Sequence, residues 1–96
     1  MAAYLIVELV EMKDTDAFSE YRRRIGEVMN EYDGEFLSVG ANLTLLEGEW
    51  HPRVVAIVTF PTMDHIRDVY ESPDHLPLRE LRHRAGRFNF VAVEGI

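Results

Sequence analysis

The segment from Arg53 to Thr62 places the tightest constraint on how this chain folds. It contains seven consecutive uncharged residues, most of them β-branched, and Pro61 follows them directly. β-Branched residues favour strands, and proline ends a central strand because it has no N–H to donate. A strand without alternating polar residues is typical of a strand that is buried on both faces of its sheet. The segment therefore predicts a central strand covered from two sides.

Three further segments have the composition of strands. Tyr4–Val10 is apolar except for Glu8, and an ionised carboxylate in such a strand needs a partner. We expect Glu8 either to lie near the strand end or to pair with an arginine across an interface. A second strand is predicted at Phe36–Ala41, continuing through Leu43–Leu46 after a bend at the glycine. The last strand is predicted at Arg87–Glu94.

The helices are predicted by apolar spacing and by capping residues. Asp14–Asp16 offers acceptors and negative charge to the start of a helix that runs to about Tyr32. Its apolar face consists of Phe18, Tyr21, Ile25, Val28, Met29 and Tyr32. We expect this helix to end at Gly34, with the glycine in the left-handed backbone conformation. Two shorter helices are predicted from Thr62 to about Glu71 and from Pro77 to about Ala85.

This order of elements, β-α-β-β-α-β, predicts an α+β domain with the ferredoxin-like arrangement. The expected sheet has four antiparallel strands with the helices on one face, in a single domain spanning residues 1–96. Yet two of the strands are apolar on both faces, and no further chain remains to cover the second face. A second copy, packed sheet against sheet, is the economical cover, so we expect a homodimer.

Composition and motifs narrow the classes of function. A net charge of −7 argues against nucleic-acid binding, and no apolar run approaches the roughly 18 residues of a membrane helix. The chain has no cysteine and no recognisable signal peptide, which favours a cytoplasmic location. The four histidines lack metal-ligand spacing, and no glycine-rich phosphate loop occurs. We therefore predict neither a metal nor a cofactor.

An ordered set of short motifs covers almost the whole chain and resembles the domain-of-unknown-function 1330 family. The set comprises Tyr4–Glu8, Phe18 with Tyr21, Tyr32–Leu37, Leu46–Gly48, Pro52–Val55, Phe60–Thr62, Tyr70–Pro73, Leu81–Arg82 and Val91–Gly95. The resemblance implies the dimeric α/β-barrel superfamily, whose members include cofactor-free monooxygenases, haem-degrading enzymes and muconolactone isomerases. It implies no established reaction. The chain departs from the family pattern at Val39–Ala41, where Arg-Gly-Gly is frequent, and at Asp74–His75, where Glu-Tyr is frequent.

The strongest candidate site is formed by His75, Arg79 and Arg82. The two arginines are helical neighbours that can offer forked donors to a carboxylate or phosphate, and His75 can exchange a proton near neutral pH. The resemblance matches Arg82 to an arginine of the family. Tyr21 and Glu8 complete the candidate ligand-binding residues.

Two functions follow from this group of residues. One is an enzyme or carrier that binds or transforms a small organic anion in a cleft between sheet and helices, with His75 as the candidate catalytic residue. The other is a non-catalytic homodimeric module in which Arg82 pairs with Glu8 or another acid. Arg22, Arg23 and Arg24 lie mostly off the apolar face of the first helix, and we assign them to a solvated surface.

Overall fold

The computed structural model describes all 96 residues, Met1–Ile96. Its elements are β1 (Ala3–Met12), α1 (Thr15–Glu31), β2 (Glu35–Gly40), β3 (Val54–Phe60), α2 (Met63–Glu71), α3 (Leu76–Ala85) and β4 (Gly86–Glu94). The four strands form one sheet in the order β2-β3-β1-β4, and every neighbouring pair is antiparallel. This is the predicted ferredoxin-like arrangement. None of the three helices has the length and apolar character needed to cross a membrane.

The helices cover only one face of the sheet. On β1, Leu5 and Leu9 point toward the helices and are buried, as is Val58, which lies opposite Leu5 on β3. The residues between them in sequence point to the other face, which no helix covers. On that face Val91 and Val93 of β4 are 56% and 47% exposed. We call this second surface, centred on Tyr4, Ile6, Glu8, Val55, Ile57, Val91 and Val93, the open face.

The central strand is therefore buried from one side within a single chain. Val58 and Phe60 of β3 are buried in the core, whereas Val55 and Ile57 are only half-buried on the open face. Burial on both faces requires a cover that one copy of the chain does not contain. The apolar residues of β3 on the open face therefore favour a second copy of the chain as the cover, as the sequence indicated.

Local capping explains where the helices begin. The side chain of Asp14 accepts a hydrogen bond from the N–H of Ala17 at 3.0 Å, and Thr62 accepts from the N–H of His65 at 3.3 Å. Both contacts satisfy backbone donors that the first turn of a helix leaves free. The bounds of all three helices agree with the sequence-based prediction to within one or two residues.

The end of α1 differs from the prediction in one residue. The positive φ angle, 65°, belongs to Asp33 and not to Gly34. Gly34 is needed for space instead, because a Cβ atom there would lie 2.7 Å from the ring of Phe60 and 2.9 Å from the carbonyl oxygen of Met29. The glycine lets the helix end pack directly on the last core residue of β3.

The predicted continuation of the second strand does not form. Strand β2 ends at Gly40, and residues 41–53 contain no helix or strand. Leu43, Leu45 and Leu46 are exposed, because this segment does not pair with a neighbouring strand. Trp50 in this segment is 52% exposed and reaches the open face of the sheet.

Candidate functional site

Three polar or charged residues are buried on the helix side of the sheet: Ser72, His75 and Arg82. Arg82 of α3 is 4% exposed, and His75, at the residue preceding α3, is 1% exposed. Arg82 Nη1 lies 3.4 Å from His75 Nε2, and the guanidinium lies 4.2 Å from the centre of the Phe90 ring on β4. The structure therefore brings together the two residues that the sequence singled out most strongly.

Arg82 has no acidic partner. The ion pairs of the chain join Arg23 and Arg24 to Glu20, His65 to Asp33, Arg67 to Asp64 and Arg87 to Glu11. A buried guanidinium without a carboxylate is unusual, because burial of an unpaired charge carries a large desolvation cost. The Phe90 ring and the neutral His75 offset only part of this cost. The site retains an uncompensated positive charge.

Glu8 is not the partner of Arg82, which contradicts the pairing considered from the sequence. Glu8 lies on the open face, on the opposite side of the sheet from Arg82. Its carboxylate accepts hydrogen bonds from Trp50 Nε1 at 2.9 Å and from Asn89 Nδ2 at 3.0 Å. Strand parity separates the two residues, since Glu8 is even-numbered on β1 and the core-facing residues are odd-numbered. Glu8 therefore belongs to the surface that we expect a second copy to cover.

His75 is held in a defined orientation by the backbone. Its Nδ1 lies 3.0 Å from the carbonyl oxygen of Tyr70, and this contact assigns the proton to Nδ1 and leaves Nε2 as an acceptor for Arg82. Burial lowers the pKa of His75, and the positive charges of Arg82 and Arg79 lower it further, while the hydrogen bond to Tyr70 acts in the opposite direction. His75 is therefore neutral near pH 7.

Arg79 has a structural position at the junction of α2 and α3. Its Nη2 donates to the carbonyl oxygen of Tyr70 at 2.7 Å, and its guanidinium lies 4.3 Å from the centre of the Tyr70 ring. A cation at the last turn of a helix satisfies free carbonyl groups and interacts favourably with the helix dipole. The Nε atom of Arg79 is buried without a partner. Arg79 thus fixes the two helices together beside His75.

Tyr21 connects this polar cluster to an apolar cleft. Its side chain is buried, and its ring packs against Phe88 with the ring centres 5.8 Å apart. Burial raises the pKa of Tyr21, although the nearby positive charge of Arg82 counteracts part of that effect. The phenol is therefore protonated at neutral pH and can donate a hydrogen bond. One side of Tyr21 borders the polar cluster, and the other lines the cleft.

The cleft lies between α1 and the helix-facing side of the sheet and has a volume of about 310 Å³. The lining residues are Val7, Leu9, Phe18, Tyr21, Arg22, Ile25, Gly26, Met29, Phe36, Val39, Val54, Ala56, Val58 and Phe88. Its size falls at the lower end of the range for small-molecule sites, and such sites are mostly apolar with few polar groups. His75, Arg79 and Arg82 do not line it.

Arg22 and Gly26 line the cleft and were not among the candidate site residues. Arg22 is exposed, as its assignment to a solvated surface predicted, and it is also the only charged residue in the lining of the cleft. A signal for this role was present: Arg22 has no acid three or four residues away on the helix, whereas Arg23 and Arg24 both contact Glu20. No group of three or more His, Asp or Glu side chains is placed to hold a metal ion.

The fold and the site define the class of protein. A four-stranded antiparallel sheet in the order β2-β3-β1-β4 with helices on one face is a ferredoxin-like α+β domain. The family model described as a domain of unknown function (DUF1330) matches residues 2–96, and the chain belongs to that family. No curated protein matches it.

Solved structures share the fold at low sequence identity. A dimeric ferredoxin-like protein of unknown function from Jannaschia sp. CCS1 is 17% identical over 99% of this chain and 100% of its own, with a TM-score of 0.79. A protein of unknown function from Rhodopseudomonas palustris is 15% identical over 99% of this chain and 82% of its own, with a TM-score of 0.79. SnoaB, a cofactor-independent oxygenase from Streptomyces nogalater, is 14% identical over 99% of this chain and 93% of its own, with a TM-score of 0.71. At these identities the likeness extends to the fold alone.

Proposed function

We propose that the chain binds a small organic anion with a largely apolar body in the cleft between α1 and the sheet. The observation that carries this proposal is the buried guanidinium of Arg82, which has no carboxylate partner and lies behind Tyr21, a wall residue of the cleft. An apolar cavity beside an uncompensated positive charge favours an anionic ligand over a neutral or cationic one.

Each residue of the polar cluster has a distinct part in this proposal. Arg82 acts through its positive field, because it lies beside the wall residue Tyr21 and does not itself line the cleft. The neutral His75 accepts from Arg82 and holds it in place, so we propose a positioning role for His75 and not proton transfer to a ligand. Arg79 fixes α3 against the end of α2. The proposal therefore concerns binding, and it assigns no reaction to the site.

A thermal-shift screen with matched pairs of acids and alcohols tests the proposal. The pairs are octanoate with 1-octanol and 3-phenylpropanoate with 3-phenylpropanol, and short phosphates and phenols extend the screen. A ligand at about a hundred times its dissociation constant adds roughly 2.7 kcal/mol of stability, which raises the midpoint by several degrees in a domain of this size. We expect the acids to shift the midpoint more than the alcohols. Equal shifts within each pair would contradict an anion site.

The open face supports a second candidate function, that of a homodimeric module. Ile6 and Ile57 lie opposite each other in the strand register and are half-buried, while Val91 and Val93 remain exposed on the edge strand. A contiguous apolar surface of this kind marks an interaction site. Several solved structures with this fold are described as dimeric, which supports a second copy as the partner.

The two functions are compatible because they use opposite faces of the sheet. The cleft lies on the helix side, and the proposed interface lies on the open face. A dimer that responds to no acid in the screen would favour a purely non-catalytic module. A dimer that responds to acids would carry one ligand cleft in each subunit.

A further inference from the structure

Two cations lie near the cleft, and only one of them lines it. Arg82 lies beside Tyr21 without lining the cleft, and one face of its guanidinium is covered by Phe90. Arg22 is exposed, lines the cleft and takes part in no ion pair. Direct contact with an acid group requires a donor that can reach it, and Arg22 meets this condition. Arg82 contributes only its field.

Gly26 gives a second, independent indication at the same edge of α1. It lies in the middle of a 17-residue helix, where glycine is unfavourable compared with alanine. Apart from its chain neighbours and the adjacent backbone of its own helix, a Cβ atom at this position would meet no atom within 4 Å. Neither backbone strain nor packing within the chain therefore accounts for the glycine. Its missing side chain keeps free space next to the cleft, one helical turn beyond Arg22.

We infer that the Arg22–Gly26 edge of α1 is the mouth of the cleft and that the ligand is an apolar monocarboxylate. Its acid group lies at the mouth and accepts hydrogen bonds from Arg22. Its hydrocarbon body passes Gly26 and occupies the interior among Ile25, Met29 and Val58. This inference rests on the proposed function and adds the orientation of the ligand and the residue that contacts its charge.

The residues that line the cleft indicate the chemical class of the ligand. With one cation at the mouth and no other charged residue in the lining, the site can neutralise one acid group and leaves no charged partner for a second. A carboxylate matches the planar fork of an arginine, whose long stem is itself apolar and suits the rim of such a cleft. Dicarboxylates and sugars are expected to bind weakly, because their additional polar groups would be desolvated without partners.

The test compares octanoate and 1-octanol on four forms of the full chain by isothermal titration. The forms are wild type, Arg22→Gln, Gly26→Met and the control Arg23→Gln, which removes an exposed charge of the same helix that pairs with Glu20. Loss of a charge-assisted contact lowers affinity by about tenfold or more. We expect that loss for octanoate in Arg22→Gln, with 1-octanol unchanged and Arg23→Gln within about twofold of wild type.

Gly26→Met separates binding from folding. The added side chain meets no protein atom near its Cβ, so we expect the unfolding midpoint to stay the same or rise, while binding of both octanoate and 1-octanol is lost. Retained octanoate affinity in Gly26→Met, or unchanged affinity in Arg22→Gln, would overturn the inference and leave the anion site itself in place. Failure of wild type to bind octanoate and the other acids would remove the proposed function and this inference together.

Discussion

Arg82 Nη1 lies 3.4 Å from His75 Nε2, and both side chains are buried on the helix side of the sheet. His75 immediately precedes the first residue of α3, and Arg82 lies seven residues later, in the last turn of that helix. The contact requires a neutral histidine, because a protonated ring would place two positive charges side by side in a buried region. The stability of the cluster therefore depends on the protonation state of His75.

Acidification below the ordinary pKa of histidine should destabilise the protein through His75. Its pKa is lowered in the folded state, chiefly by burial, so protonation favours the unfolded chain. The stabilisation that the neutral His75 gives the folded protein is complete above about pH 6.5. It is lost as the pH falls from there through the folded-state pKa of His75. Thermal unfolding between pH 7.5 and 5.5 should show a falling midpoint in wild type and a flatter profile in His75→Gln. Parallel profiles would contradict the account.

Replacement of Arg82 by methionine should separate charge from packing. Methionine has a similar length and no charge, and removal of an unpaired buried charge is often neutral or stabilising. We expect the ligand-free protein to keep or gain stability, and octanoate to bind severalfold more weakly, with 1-octanol unaffected. Titration of both ligands on Arg82→Met provides the comparison. A large loss of stability without ligand would instead indicate that Arg82 has a structural role that the contacts do not reveal.

The open face should carry the dimer interface. Ile57→Asp places a charge at the centre of that face without altering the buried residues on the helix side. We expect wild type to have twice the mass of the chain by light scattering and Ile57→Asp to be a folded monomer, because an unpaired charge at an apolar interface is strongly unfavourable. Leu76→Asp, at an exposed position on the helix side, is the matched control and should remain dimeric. A monomeric wild type at micromolar concentration would refute the interface.

Two glycines should respond to alanine in opposite directions. A Cβ atom at Gly86 would lie 2.1 Å from the carbonyl oxygen of Glu11, where β4 pairs with the end of β1. Relief of that overlap needs a backbone shift, and we expect Gly86→Ala to lose roughly 1–3 kcal/mol or more. Gly26→Ala should gain up to about 1 kcal/mol, since the site is helical and unobstructed. Denaturant unfolding of both variants measures the difference, and a loss of stability in Gly26→Ala would show a packing constraint there.

The sequence predicted the elements well because their signals are local. Asp14 and Thr62 cap their helices through contacts three residues away, and the apolar run of β3 is continuous along the chain. Such interactions depend little on the rest of the molecule. The end of α1 was less predictable: Gly34 is required by the ring of Phe60, a residue distant in sequence.

The site was predicted only in part, because only some of its residues are brought together by local interactions along the chain. His75, Arg79 and Arg82 share one helix and its cap, so their proximity follows from helical spacing alone. The position of Glu8 could not be obtained in this way, because a strand apolar on both faces does not show which face the helices cover. Arg22 and Gly26 were missed because the cleft depends on how α1 lies over β2 and β3, which the periodicity of the helix does not determine.

The most direct test of the account is a titration of the ¹⁵N-labelled protein with sodium octanoate, followed by backbone amide chemical shifts. We expect saturable changes that are largest at Arg22, Gly26, Met29 and Val39, around the cleft, with little change at Ile57 on the open face. Changes confined to the open face, or none at any octanoate concentration below micelle formation, would contradict an anion-binding cleft between α1 and the sheet.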